Sequence, residues 1–291
     1  MSYILTANTP PPVVIHIDSR KGHQIQTGLT TNFTYTMKEP ILVPDHMNLL
    51  ISLHTATIPY SFYNVGSHNN LISFLIGGVY DDLTLENGNY SAFSLLNLMK
   101  NHLEARGDIT TAHISYSRET LKFKFGFEGS ATQVEINHRS TALDLLGINA
   151  LGTAHFPKSP TETISSDNAV DLNDSIHGLY VRQNLATKGT LDTEEGTFTN
   201  ILARIPITTN AGGIIFYTPS SNQHETMISV PMIQTLGIRL TDDKHRSIDL
   251  NGLHFQLSLK ISFIHKEALR MKPLRRPIKI KKEKDDKKNK R

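Results

Sequence analysis

Residues 236–264, LGIRLTDDKHRSIDLNGLHFQLSLKISFI, predict the fold more directly than any other stretch of the chain. Five apolar side chains alternate there with polar ones at a strict period of two: Phe255, Leu257, Leu259, Ile261 and Phe263. This period is typical of a strand with one face on a core and the other in water. Residues 236–240 predict an earlier strand, and Asn251 and Gly252 are turn-forming residues before the later one. The stretch therefore predicts antiparallel strands, for which the rest of the chain supplies partners.

Short strand patterns recur along most of the sequence. Alternating or β-branched runs, separated by Pro, Gly and Asn, occupy residues 13–18, 32–37, 49–58, 71–76, 79–85, 177–182, 201–207, 213–217 and 227–230. About ten short strands with turn residues between them favour a mainly β fold, an antiparallel β-sandwich. The pattern alone leaves two topologies open, a jelly roll and an immunoglobulin-like Greek key.

The hydrophobic period changes between residues 88 and 148. Asn89-Tyr-Ser91 is a helix start signal, and a stripe of helical spacing follows it: Phe93, Leu95, Leu96, Leu98, Met99 and Leu103. Residues 114–127 predict a hairpin with four apolar side chains on one face: Leu121, Phe123, Phe125 and Phe127. Residues 140–147 predict a short helix closed by Gly147. We interpret residues 88–148 as a small α+β insertion, helix, hairpin and helix, within a β-sandwich domain at 13–265.

Composition restricts the class of protein. The chain has 291 residues, of which 38% are hydrophobic and 20% charged, as expected for an ordinary soluble protein. It has no cysteine, which excludes a disulfide framework and fits folding in a reducing compartment. The first residues lack the basic leader and apolar run of a secretory signal. No apolar run reaches the roughly 18–20 residues that span a bilayer, so we expect no membrane span.

Charge is distributed unevenly along the chain. Residues 266–291 carry 13 Lys and Arg against 4 Asp and Glu, whereas residues 1–265 carry 17 against 23. The tail composition cannot bury enough apolar surface to offset the entropy of ordering, so we expect a basic, disordered tail. Residues 1–12, ending in Pro10-Pro-Pro12, predict a flexible N-terminal arm. Candidate contacts to nucleic acid or to a partner are Arg275, Arg276, Lys279, Lys281 and Lys282; a purely solubilising tail is the alternative.

No cluster of residues predicts catalysis, a cofactor or a metal site. The 14 histidines are scattered, without a His-x-His or His-x-x-x-His pair. The nearest approach to a ligand set is Asp242, Asp243 and His245, but these residue types are favoured by a hairpin turn alone. A second group, Tyr60, Phe62 and Tyr63, predicts core or subunit packing, with ligand stacking as the alternative. We therefore expect a protein that is not an enzyme and has no cofactor, catalytic residue or metal ligand.

Several motifs together resemble a known family. They are Val43-Pro-Asp-His46, LHTATIPYSFYN at 53–64, Gly88-Asn-Tyr-Ser91, Phe216-Tyr-Thr-Pro219, IRLTD at 238–242, Arg246, and IDLNGL at 248–253. In this combination the chain resembles minor capsid proteins of large double-stranded DNA viruses and polinton-like elements. The resemblance covers nearly all of residues 30–265. Its motifs are turn and strand signatures, not catalytic ones.

The resemblance implies a jelly-roll capsid subunit of the penton type, which forms pentamers at icosahedral vertices beside a double-jelly-roll major protein. The expected partners are other copies of the chain in a homopentamer, the major capsid protein, and other minor capsid proteins. Packaged DNA or an acidic partner is a further expectation for the basic tail. The expected location is the virion, with assembly in the host cytoplasm or nucleus.

A binding module is the competing interpretation. A β-sandwich used for attachment would bind a glycan or a protein partner through its loops, here residues 60–70 and 151–174. That function requires a concave site where aromatic and polar groups converge on a ligand.

Overall fold

The computed structural model describes residues 9–149, 153–172, 176–185, 190–192, 197–219 and 224–266. Its α-helices are α1 (Ala92–Glu104) and α2 (Leu143–Leu146), and a 3-10 turn occupies Ser19–Lys21. Its strands are β1 (Val13–Asp18), β2 (His23–Gln24), β3 (Asn32–Leu42), β4 (Met47–Pro59), β5 (Leu71–Ile76), β6 (Val79–Thr84), β7 (Ile109–Ala112), β8 (Ser115–Ser117), β9 (Lys122–Phe125), β10 (Phe127–Gly129), β11 (Val134–Ile136), β12 (Ala154–His155), β13 (Ile164–Ser165), β14 (Gly178–Gln183), β15 (Thr190–Asp192), β16 (Thr197–Thr199), β17 (Ile201–Pro206), β18 (Ile214–Tyr217), β19 (Thr226–Ile228), β20 (Met232–Thr241) and β21 (Gln256–His265).

Two antiparallel sheets form a sandwich. Sheet A has the order β1-β21-β4-β18, with β19 pairing the other half of the same β4 edge, and sheet B has the order β17-β14-β20-β3-β2. If β18 and β19 count as one interrupted strand, four long strands of sheet A face four of sheet B. The chain crosses repeatedly between the sheets in the order of a jelly roll. The predicted β-sandwich is confirmed, and the jelly roll is the topology.

The closing strand β21 lies in the middle of sheet A, as its alternation predicts. It pairs β1 on one side and β4 on the other, with a register shift between Ser258 and Leu259. Phe255, Leu257, Leu259 and Ile261 are buried in the core between the sheets, and Phe263 packs against that core partly buried. At roughly 1.5–3 kcal/mol for each fully buried large apolar side chain, this face of β21 is a major stabilising contribution to the sandwich.

A second unit, with its own apolar core, interrupts the sandwich between β4 and β14. Its buried residues run from Val65 to Phe156, and partly buried Val170 and Leu172 pack against them. The unit is larger than the insertion predicted at 88–148. The hairpin β5–β6 belongs to it, because β5 pairs β11 and both lie in one sheet with β6 and β12. A hairpin pattern in the sequence does not tell which core its apolar face covers. We refer to residues 65–172 as the insertion.

Two details inside the insertion differ from the sequence prediction. The buried row of α1 is Ala92, Leu95, Met99 and Leu103, at a spacing of three and four residues, whereas Phe93 is 45% exposed. Leu121 is half exposed with a φ of 56°, because it ends the turn between β8 and β9 and does not belong to the apolar face. The predicted start and stop signals are confirmed: Ser91 and Ser94 form a capping box on α1, and Gly147 caps α2 with a φ of 70°.

The insertion joins the sandwich through a narrow neck. The Asn64 side-chain amide donates to the carbonyls of Tyr90 and Leu172, each at 2.8 Å, so the chain enters and leaves the insertion at adjacent points. This neck lies beyond Pro59, where β4 ends. At the opposite end of β4, His265 pairs Met47, and the backbone N–H of Lys266 donates to the carbonyl of His46. The insertion and the start of the basic tail therefore lie at opposite ends of the sandwich.

The predicted arm and tail fall largely outside the described residues. Only residues 9–12 of the arm and Lys266 of the tail are described. Arg275, Arg276, Lys279, Lys281 and Lys282 lie beyond them.

Candidate functional surfaces

The acidic group near residue 242 is part of a turn. Asp242 is 1% exposed, and its carboxylate accepts hydrogen bonds from the backbone N–H and the Nε of Arg246, at 2.8 and 2.5 Å. His245 has a φ of 63°, the left-handed conformation that tight turns use. Within the described ranges, no group of three or more His, Asp or Glu side chains is placed to hold a metal ion. The geometry supports the turn interpretation of Asp242, Asp243 and His245.

The aromatic group at residues 60–63 divides between core and surface. The rings of Tyr60 and Phe62 stack with centroids 4.3 Å apart, and both pack into the sandwich core. Burial raises the pKa of the Tyr60 hydroxyl. Tyr63 differs from both, because 43% of its surface is exposed. Two of the three aromatic residues are therefore structural, and only Tyr63 is open to a ligand.

Tyr63 lines a cleft of about 270 Å³ between the neck and the hairpin at residues 246–251. The floor is apolar and consists of Phe62, Val65, Ile176 and Ile248. The rim is polar and includes Ser67, Asn87, Arg246, Asp249 and Asn251. Residues 60–70 are predicted from the sequence as a binding loop, but the opposite wall is not, since it lies almost 190 residues away in the sequence and only the topology brings the two together.

Hydrogen bonds fix both walls of the cleft. On the neck side, the backbone N–H of Asn64 donates to the side-chain oxygen of Asn89. The side chain of Asn64 accepts from the backbone N–H of Tyr90 and donates to the carbonyl of Leu172. On the hairpin side, the Ser61 hydroxyl donates to the carbonyl of Leu250 at 2.7 Å, and the Asn251 amide donates to the carbonyl of Ser61. The two walls are thus bonded to each other.

The outer face of sheet A is an apolar surface near its β18–β19 edge. Its exposed side chains are Ile214, Phe216, Met227 and Leu253, and Phe216 is 69% exposed. A groove of about 410 Å³ is lined by Ile214 and Leu253 and bordered by Thr57, Pro59 and Gln256. Sequence reasoning missed this face because IIFY at 214–217 is apolar throughout, so no alternation tells which side chains point outward. Exposed apolar surface of this kind marks interaction sites.

An ion pair lies at one border of this groove. The Arg20 guanidinium donates to both carboxylate oxygens of Asp18, at 2.5 to 3.0 Å, and the Gln256 amide donates to the same carboxylate at 3.0 Å. The Arg20 hydrogen bonds hold the pKa of Asp18 well below its usual range. The carboxylate therefore remains charged through the whole physiological range of pH.

The insertion carries most of the negative charge that precedes the tail. Residues 65–172 have 7 Lys and Arg against 12 Asp and Glu, a net charge of −5, whereas the rest of residues 1–265 has 10 against 11. Some acidic side chains are paired locally. Arg106 bonds Asp108 at 3.0 and 3.1 Å and lowers the pKa of that carboxyl. The acidic end of the molecule is thus the end opposite the start of the basic tail.

No helix among the described residues is long and apolar enough to cross a membrane.

Comparison with solved structures gives a likeness of fold. No protein-family model matches the chain, and no curated protein sequence matches it. Among solved structures, the crystal structure of selenomethionine-labelled mavirus penton protein superposes with a TM-score of 0.50, over 87% of this chain and 99% of that one, at 12% identity. The chain has a penton-type capsid protein fold.

Proposed function

We propose that this protein is a structural subunit of an icosahedral virus capsid, at the vertex or in another minor capsid position, and that it has no catalytic activity. The observation that carries the proposal is the jelly-roll fold, which superposes on a penton protein over nearly the whole length of that chain. At 12% identity the likeness concerns the fold. The step from fold to capsid role is therefore ours, and it rests also on surfaces suited to assembly.

The first of these surfaces is the one that we propose for self-association. A ring of identical subunits needs one repeated heterologous contact, and a homopentamer is the ring that we propose. The outer face of sheet A supplies a suitable surface, because Phe216 is exposed there and Ile214 and Leu253 expose apolar area at a groove. Aromatic residues at the centre of an interface commonly contribute most of the binding free energy. We place the contact between neighbouring copies on this face.

The two ends of the sandwich suggest how the subunit is oriented. The tail begins at the Met47 end and carries a large positive charge, whereas the acidic insertion lies at the other end. We propose that the tail end faces the interior of the virion, where Arg275, Arg276, Lys279, Lys281 and Lys282 contact packaged DNA or an acidic partner. The remaining partners in this proposal are the major capsid protein and other minor capsid proteins, with assembly in the host cytoplasm or nucleus.

A single substitution tests the self-association surface. Phe216→Glu places a charge at the most exposed residue of the apolar face and leaves the core untouched, since the side chain points outward. We expect native mass spectrometry to show a closed oligomer for the unchanged protein and mainly monomer for Phe216→Glu, at the same melting temperature. The matched control is Val79→Glu, an exposed apolar residue at the tip of the β5–β6 hairpin. An unaltered oligomer in Phe216→Glu would place the contact elsewhere.

A further inference from the structure

We propose that the cleft beside Tyr63 binds one neutral pyranose residue of a glycan. This inference does not depend on the capsid role, because it rests only on the cleft itself. Of the two loops that a binding module would use, residues 60–70 line this cleft. The proposal thus gives the binding interpretation of the sequence a specific place and a specific ligand class.

The size of the cleft restricts the ligand to about one ring. Pockets for drug-sized ligands occupy roughly 300–1,000 Å³, and this cleft, at about 270 Å³, lies just below that range. A single six-membered sugar ring suits this volume, with the rest of a glycan extending into solvent through the open side. Longer peptides or nucleic acid would need a groove that continues beyond the hairpin at residues 246–251.

The lining combines the two chemistries that a sugar ring presents. A pyranose has an apolar face of C–H groups and an equatorial belt of hydroxyl groups. The apolar floor and the half-exposed ring of Tyr63 suit the C–H face of the sugar. The rim supplies hydrogen-bonding groups for the sugar hydroxyls: the hydroxyl of Ser67, the amide of Asn87 and the carboxylate of Asp249. Sites of mixed composition, with a few placed polar groups over an apolar floor, are the usual form of small-ligand sites.

The charges of the cleft favour a neutral sugar over an acidic one. The basic groups of the lining are the imidazole of His68 and the guanidinium of Arg246, whose Nε is engaged by the buried carboxylate of Asp242. Asp249 adds a second carboxylate, which would repel the carboxyl group of an acidic sugar or a phosphate. One oxygen of Asp249 accepts from the backbone N–H of Asn251 at 2.8 Å, which fixes the side chain in position. A fixed carboxylate is a strong acceptor for a sugar hydroxyl.

Preorganisation lowers the cost of binding. The bonds from Ser61 to the 250–251 segment hold the two walls together before any ligand arrives. The left-handed backbone of Asn251, with a φ of 51°, is a conformation that Asn tolerates well and that sets the direction of this wall. Binding in the cleft therefore costs little conformational entropy of the protein.

The test is ligand-observed NMR on the full chain in its purified oligomeric state. The probes are the methyl glycosides of glucose, mannose and galactose, with N-acetylneuraminic acid as the anionic comparison. We expect saturation transfer to at least one neutral glycoside, with transfer to the acidic sugar weaker. Tyr63→Ala should weaken binding about tenfold, the loss expected for an aromatic contact. The matched control, Tyr80→Ala, removes an equally exposed tyrosine from the insertion hairpin and should leave binding unchanged.

A second variant keeps the test decisive if Tyr63→Ala folds poorly. Asn87→Leu changes an exposed rim residue and removes its hydrogen-bonding groups without touching the floor, so it should also weaken binding. The proposal is overturned if none of the neutral glycosides binds, if the acidic sugar binds better than they do, or if binding persists unchanged in both variants. Loss of the oligomer in Phe216→Glu would not affect these results, so the two proposals fail independently.

Discussion

At the scale of a single residue, Asp18 makes the stability of the folded protein depend on pH. Its carboxylate is held by Arg20 and Gln256, and its pKa is depressed in the folded protein. A depressed folded pKa contributes stability that is fully present above the unfolded value of about 3.9 and is lost as the pH falls through the folded value. Because the pair is close to solvent, we expect a modest effect.

The substitution Asp18→Asn tests this linkage with almost no change of shape. Near pH 6 the melting temperature of the unchanged protein should exceed that of the variant. The difference should shrink as the pH falls below about 4, because the carboxyl group then gains a proton in the unfolded state while it is still ionised in the native state. A difference that stays constant from pH 6 to pH 2 would show that the stabilisation does not come from the charge.

Single residues also show which features of burial the sequence pattern predicts and which it does not. The alternation of β21 identified its buried face because one face of that strand meets a core and the other meets solvent. Leu121 and Phe93 have the same apolar character but lie on the surface, at a turn and on the outer side of α1. Their environment depends on neighbours that are distant in the sequence. The Tyr63 cleft is the clearest case, since the aromatic group at residues 60–63 stood out in the sequence as a ligand candidate but its partners at residues 246–251 did not.

At the scale of the element, the insertion is a unit with its own core and a closed neck. Its apolar cluster shares no buried residue with the sandwich cluster. The hydrogen bond between Asn64 and Leu172 places the two chain crossings side by side. The sequence indicated that such a unit exists, through its change of hydrophobic period. It could not give the boundaries, because hairpin β5–β6 has the same strand pattern as the sandwich.

We expect the sandwich to fold without the insertion. In the variant, a short Gly-Ser linker replaces residues 66–171, which the adjacent chain crossings allow. Circular dichroism should retain the β signal and lose the helical contribution, since α1 and α2 both lie in the deleted part. Thermal unfolding should remain cooperative. An unfolded or aggregated product would mean that the sandwich core needs the insertion for its stability.

At the scale of the whole molecule, the charge separation predicts what the tail does. Removing residues 267–291 should leave the melting temperature nearly unchanged, because β21 and the core end before them. The same truncation should abolish binding to double-stranded DNA measured by fluorescence anisotropy. For the full chain, the logarithm of the binding constant should fall with the logarithm of salt concentration, by about 0.9 per phosphate neutralised. DNA binding that persists after truncation would locate the site on the body of the protein.

The central claim is that this jelly roll is a self-assembling shell subunit. Single-particle cryo-electron microscopy of the full-length protein tests it most directly, because it reports both the number of copies and the surface between them. We expect a closed ring with fivefold symmetry, in which Phe216 and the outer face of sheet A are buried against the next copy and all tails leave from the same side. A protein that remains monomeric at high concentration, or pairs through a twofold contact that leaves this face exposed, would contradict it.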